Sequence, residues 1–396
     1  MKAIQLKKDI WWVGGIDWDL RNFHGYLTQR GSTYNAYLII DEKITLIDNV
    51  KSYLFDEMIA RISDVIDPAR IDILIQNHVE MDHSGGMPAM MKLLPNATIY
   101  TNANCIKGLK AHYKQDWLFH EIKSGDSINI GSRDLSFLTT PMVHWPDNQF
   151  TYCPQDKLLF SNDAFGQHIA SSERLAKDFP FSIVMEEAKK YYANIVLPYS
   201  KQVQKVLEAA APLQIEMIAP SHGLVWTDHI PQILEAYKDW AFNVANPKQA
   251  LVIYDTMWKS TQMMAFAIAD AFENLGIKAK MLNLQTNHIS DIMTDVMDAH
   301  YICVGSPTLN SSILPTVAAF LYYLKGLSPK DRVGLAFGSY GWGGQSIPIL
   351  HQLLGDPKEC GFDMLDPIKV QYVPDASTLT NITKELEQKI KTKMEN

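Results

Sequence analysis

The chain has 396 residues, 47% of them hydrophobic and 20% charged, with 21 Gly and 19 Pro. That composition excludes a mostly disordered or fibrous protein and, at roughly 100–200 residues per domain, predicts two or three compact domains. With 36 basic against 44 acidic residues the net charge is -8 and there are no clustered Lys/Arg runs, so nucleic acid is not an expected partner.

In chain order, apolar runs at 10–13, 36–40, 44–47, 71–75, 97–100 and 135–138 read as strands, and helical patterns occupy 54–66 and 87–94. This predicts a strand-rich α/β layer structure. From residue 185 the pattern turns helical (MEEAKKYYANIV, KQVQKVLEAAA), passes a strand-like 216–219 and ends in a helix-like 230–244. The segment Ala245-Asn246-Pro247-Lys248-Gln249 reads as punctuation, because Pro247 disfavours helix before it, and a domain boundary is predicted at 247. Beyond it strands and helices alternate: ALVIYD, STQMMAFAIADAFENLG, AKMLNL, ISDIMTDVMDA, HYICVG, ILPTVAAFLYYLKG and RVGLAFGS. That alternation predicts a doubly wound parallel sheet with helices on both faces. The stretches 250–254 and 313–324 are shorter than the ~20 apolar residues that cross a bilayer, and the opening MKAIQLKKDIWW lacks a signal-peptide core, so the expectation is a cytoplasmic protein without a membrane partner. Cys105, Cys153, Cys303 and Cys360 form no CxxC pair and read as reduced, mostly buried thiols.

Two constellations carry chemistry. After the strand at 71–75 come His78, Glu80, Asp82 and His83, followed by Gly85 and Gly86. Four potential metal ligands in six residues exceed what a polar loop needs, although Asp82 or Ser84 as a helix cap accounts for part of the run. His144, Asp163 and His222 each follow an apolar or Pro-containing segment where a loop leaves a strand, so all seven can converge on one side of a layered sheet. The second constellation is three loops at successive strand ends: Thr256-Met257-Trp258-Lys259-Ser260-Thr261, Ser306-Pro307-Thr308-Leu309-Asn310 and Ser339-Tyr340-Gly341-Trp342-Gly343. The first precedes a helix whose free amides suit an anion, and the aromatic rings of the third suit a planar ligand. A GxGxxG fingerprint is missing after the first strand of this half, so direct nicotinamide binding is not expected.

The order HxExDH, His, Asp, His resembles the metallo-β-lactamase fold, whose hydrolases usually read HxHxDH and hold zinc. Here Glu80 stands at the second histidine position, and a mixed His and carboxylate set suits iron. HVEMDH, HWPD, SNDAFGQH and PSHG together resemble the flavodiiron proteins. The resemblance implies an αββα metallo-β-lactamase-like domain over 1–247 and a flavodoxin-like domain over 248–396. It implies a non-haem di-iron centre with His78, Glu80, His144 and Asp163 on one iron, Asp82, His83 and His222 on the other, and Asp163 bridging. It implies FMN on the three loops, and places His24, His168 and Tyr192 near the metals. The expected activity is reduction of O2 to water or NO to N2O, with electrons from a separate donor such as rubredoxin or a reduced flavin or deazaflavin carrier. The expected assembly is a head-to-tail homodimer. The alternative implied by the fold is a zinc hydrolase joined to a flavodoxin-like electron-transfer domain. No CxxC module follows the final mixed-charge helix, so a fused rubredoxin is not expected.

Overall fold

A computed structural model describes residues 1–395. The chain divides into two compact units: Met1–Tyr191 with Tyr199–Ala241, and Tyr192–Pro198 with Phe242 onward.

The first unit is two facing sheets. Seven strands lie in the spatial order Ile4–Lys7, Ile10–Trp12, Tyr37–Ile39, Thr45–Ile47, Ile73–Ile75, Thr98–Thr101 and Phe119–Glu121. Five more run Ser127–Asn129, Asp134–Thr139, Gln149–Cys153, Leu158–Asn162 and Met217–Pro220. The period-two alternation of strand side chains separates two cores. Ile10, Tyr37, Ile39, Ile47, Ile73 and Ile75 point toward Leu135, Phe137, Leu158 and Phe160 of the second sheet. Leu38, Leu46 and Leu74, one residue out of phase, point outward onto Met58 and Ile62 of the helix Phe55–Ser63 and onto Met87, Met90 and Met91 of Met87–Leu93. Every residue of Gln149–Cys153 is buried. Its buried polar residues Gln149 and Thr151, both bonded to Asn77 Oδ1, break the apolar run that marked the other buried strands.

The second unit has one parallel sheet in the order Lys278–Asn283, Asn246–Tyr254, Ala299–Gly305 and Val333–Tyr340, with Asp363–Met364 and Ile368–Gln371 sharing the outer edge. The chain order 2-1-3-4-5 is the doubly wound flavodoxin arrangement, with ligand space expected at the carboxyl ends of the strands. Ser260–Asn274 and Ala376–Glu395 cover one face, where Ile268 and Phe272 meet Leu386 and Ile390. No helix among the described residues is long and apolar enough to cross a membrane. The four cysteines are free and buried.

Residues 246–249 open the central strand Asn246–Tyr254, and the two compact units part between Ala241 and Phe242. Register jumps from Asn246↔Ala299 to Ala250↔Tyr301, so Pro247 falls in a bulge where no ladder hydrogen bond is required of it. The helix before it stops at Ala241, and Asn243 takes a left-handed conformation at φ 54°. Arg332 donates through Nη1 to the Asn243 carbonyl at 3.1 Å and Lys330 N donates to its Oδ1 at 2.9 Å, which ties residues 242–247 to the second unit.

Candidate metal centre and strand-end cavity

The seven predicted ligand residues come together at one end of the paired sheets of the first unit. A single helical turn, Met81–Ser84, begins just after Ile73–Ile75 and presents Asp82 and His83 from adjacent positions, with Glu80 at its N-cap. Asp163 follows Leu158–Asn162 and His222 follows Met217–Pro220. Gly223 holds φ 78°, and a Cβ there would lie 2.2 Å from Gln167 Oε1, so the turn after His222 is closed to other residues.

Two groups result: His78, His144 and Asp163, and Asp82, His83 and His222, with the ligand atoms of each within 4.8 Å of one another. Asp163 faces both. Its Oδ2 lies 3.3 Å from His144 Nε2 and 3.6 Å from His78 Nε2, while its Oδ1 lies 3.0 Å from His83 Nε2 and 3.3 Å from His222 Nε2. Glu80 joins the first group, with Oε2 at 3.3 Å from His78 Nε2 and 3.5 Å from His144 Nε2. Asp82 Oδ2 is 3.5 Å from His222 Nε2 and Asp82 Oδ1 is 3.4 Å from His83 Nε2.

The tautomers are set from behind. Asp147 accepts from His78 Nδ1 at 3.0 Å and from the Val79 amide at 2.6 Å, and the Thr33 carbonyl accepts from His222 Nδ1 at 2.9 Å. Each contact leaves Nε2 as the lone-pair end turned toward the carboxylates, which is how metal-binding histidines are oriented. Both oxygens of Asp82, Nε2 of His83 and Oδ1 of Asp163 are buried without a hydrogen-bond partner. Buried charge without hydrogen bonds is costly unless a cation occupies the space. Without metal the carboxylates favour protons on His78 and His83 instead. Burial pushes His83 down, but Asp82 and Asp163 outweigh it and carry it up to about 9. Burial also pushes Asp163 up, and His83, His144 and His222 overcome it to hold the carboxyl well below its ordinary range.

In the second unit a cavity of about 740 Å³ opens at the strand ends. Met257, Trp258 and Ser260 line it from the first loop, Pro307, Thr308 and Asn310 from the second, and Ser339, Tyr340, Gly341, Trp342 and Gly343 from the third. The indoles of Trp258 and Trp342 stand 88% and 95% exposed at its rim. Thr256 Oγ1 is buried without a partner beside the start of the helix Ser260–Asn274, whose left-handed N-cap Lys259 makes no side-chain cap. An unclaimed hydroxyl, unclaimed first-turn amides and free aromatic faces fit a phosphate joined to a planar ring.

Comparisons with known proteins give the same division. Residues 33–223 match the ODP family beta lactamase and 252–385 match flavodoxin. The chain is 44% identical to the nitric oxide reductase of Moorella thermoacetica, covering 89% of this chain and 90% of that one. It is 40% identical to the coenzyme F420H2 oxidase of Methanocaldococcus jannaschii, covering 96% and 95%. The solved rubredoxin oxygen:oxidoreductase of Desulfovibrio gigas superposes with a TM-score of 0.94 at 38% identity over 99% of this chain and all of that one. The chain belongs to the flavodiiron proteins.

Within this flavodiiron frame the remaining predicted residues fall as follows. His24, 67% exposed, reaches Glu80 Oε1 through Nε2 at 2.9 Å. His168 is buried against the His222 ring at 5.0 Å and bonds Ser32 Oγ through Nδ1 at 2.7 Å. The neighbouring Tyr191 lays its ring 5.2 Å from His168 and 5.7 Å from His222. Tyr192 opens the π-helical segment Tyr192–Val196, which groups with the second unit. Around the cavity, Thr261 and Ser306 brace loops. Thr261 Oγ1 meets Ser339 Oγ at 3.0 Å, and Ser306 Oγ accepts from the Leu314 amide at 3.0 Å. Leu309 pairs across its own turn with Ser312, and Lys259 provides the left-handed N-cap. The cavity also takes Ser311, Gln345, Tyr372 and Val373, which no motif marked. Asp147 was visible in HWPD without a role; a carboxylate three residues after a ligand histidine was the available signal.

Proposed function

We propose that this flavodiiron protein is an oxidoreductase that reduces O2 to water or NO to N2O, holding FMN in the strand-end cavity and two irons in the His/carboxylate centre. The observation that carries the reading is Asp163, whose two oxygens face two separate ligand groups. A carboxylate shared by two cations offsets their repulsion, and few protein ligands on each leave positions open for a diatomic molecule. His78, Glu80 and His144 with Asp163 hold one iron; Asp82, His83 and His222 with Asp163 hold the other. Glu80 in place of a histidine favours iron over the zinc of the hydrolases.

When bound, FMN supplies one-electron relay and the iron pair supplies the substrate positions. The chain's own residues orient and protect them. Asp147 and the Thr33 carbonyl fix the imidazoles, and His24 holds Glu80 through its free oxygen. Thr256 and the first amides of Ser260–Asn274 take the phosphate, and Tyr340, Trp342 and Trp258 flank the ring. Support for rubredoxin or a reduced deazaflavin as donor comes from the relatives, which use one or the other by name. Support for a head-to-tail homodimer comes from exposed rings on each unit: Trp258, Trp342 and Tyr372 on one, Trp18 and Tyr53 on the other.

The test is anaerobic turnover of reduced holoprotein with each gas separately. Consumption of O2 or NO that depends on both FMN and iron is the expected result. Hydrolysis of an ester or amide without any gas consumption sinks the reading.

A further inference from the structure

Beside His222 a second set of buried polar groups runs outward from the ligand cluster. Glu187 lies on the helix Phe181–Tyr191 and is 5% exposed. Its Oε1 accepts from Arg30 Nε at 3.1 Å, while its Oε2 is buried without a hydrogen-bond partner. Tyr191 is one turn further along the same helix face and touches both His168 and His222. Alongside, Lys190 Nζ donates to Gln29 Oε1 at 2.5 Å and sits 5.4 Å from the centre of the Tyr26 ring, which packs 5.2 Å from His168. His168 Nε2 and Thr28 Oγ1 are likewise buried without a partner. Unclaimed polar atoms in a protein interior are satisfied by ordered water, each molecule needing two to four polar partners.

We propose that Glu187 is a proton-relay residue for the reduction, taking protons at the Arg30 edge and passing them through ordered water past Tyr26 and Thr28 toward the His/carboxylate centre. The Arg30 side chain is 42% exposed, so this end of the route meets solvent. The proposal rests on the reductase reading. Reduction of one O2 to two waters takes four electrons and four protons, and joining two NO into N2O and water takes two of each. The electrons arrive through the flavin, so the protons come from solvent. In each passage the Glu187 O–H bond breaks as a water molecule gains the proton, and the carboxylate is reprotonated from the Arg30 side; nothing is oxidised or reduced on the way. Burial raises the Glu187 carboxyl, Lys190 and Arg30 pull it back, and Glu186 adds to the rise, so it takes up a proton more readily than an exposed glutamate does.

The test compares Glu187→Gln and Glu187→Asp with the native holoprotein. Glu187→Gln should lower kcat on the order of ten- to hundredfold, with iron, FMN and KM for the gas unchanged. Glu187→Asp and added acetic acid, a small diffusible proton donor, should each restore part of the loss. In protein freed of iron, the infrared carbonyl stretch of a protonated carboxylic acid should titrate above the ordinary glutamate range, vanish in Glu187→Gln and shift in Glu187→Asp. An unchanged kcat in Glu187→Gln overturns the proposal. A loss that neither aspartate nor acetic acid restores marks a purely structural role and also overturns it, as does an iron-free protein with no such carbonyl band. If the native protein turns over neither gas, the reductase reading fails, and the infrared band still tests Glu187 by itself.

Discussion

The metal centre draws its ligands from separate segments between His78 and His222, and His78, Asp82, His83, Asp163 and His222 are all buried. The flavodoxin-like cavity is walled by three loops at adjacent strand ends, and its two indoles stand almost fully in solvent. The chemistry of the occupants explains the difference. Charges gathered in a low-dielectric interior repel or misorient unless other groups fix them first; hence the Asp147 and Thr33 contacts behind the imidazoles. A flavin brings its own apolar plane and phosphate, so a site for it needs only free amides, a hydroxyl and rings to close on it. Loss of a metal ligand should therefore be nearly all-or-none, while losses around the cavity should be graded.

The largest expected effect is at the shared ligand. Asp163→Ala removes a partner of both groups at once and should strip both irons, whereas His222→Ala removes a ligand of one group and should leave more iron bound; elemental analysis of the purified variants decides this. Full iron in Asp163→Ala would refute the bridging assignment.

Next is the support behind the ligands. Asp147→Asn keeps the shape but weakens the hold on His78 Nδ1–H, and iron affinity should fall roughly 10- to 100-fold in a chelator competition, with FMN content unchanged. The same competition at stepwise lower pH should show iron binding weakening below about 9, where the proton held on His83 by Asp82 and Asp163 must be displaced. Affinity independent of pH would remove that proton from the account.

Smaller effects belong to the cavity. Thr256→Ala deletes a hydrogen bond to a charged phosphate, about 1.5–3 kcal/mol or on the order of ten- to hundredfold in the Kd for FMN. Trp342→Ala removes one aromatic face, about 0.5–1.5 kcal/mol, so flavin binding should survive it with a modest loss. Isothermal titration of the flavin-free variants with FMN measures both, and abolition of binding by Trp342→Ala alone would contradict the graded picture.

Much of this organisation was legible in the chain itself. HVEMDH packs four candidate ligands into one strand-to-turn junction, and the strand and helix periods of the second half are regular, so the candidate cluster and the parallel sheet follow from local pattern. What escaped depended on partners distant in sequence. Asp147 gains its role only when the loop after Asp134–Thr139 meets His78, and Tyr191 only when the end of Phe181–Tyr191 brings its ring to His168 and His222. Pro247 reads locally as a break, but the bulge opposite Ala299 absorbs its missing N–H. A fragment begun at 248 thus lacks the first residues of its central strand. One begun at 242 keeps them and should melt at a higher temperature.

The central claim is one flavin and two irons in a single chain, and it is tested most directly by measuring iron, zinc and FMN on the same sample of holoprotein. The account predicts about two irons and one FMN per chain with little zinc. A protein filled with zinc, or folded and free of flavin even after incubation with FMN, would contradict it.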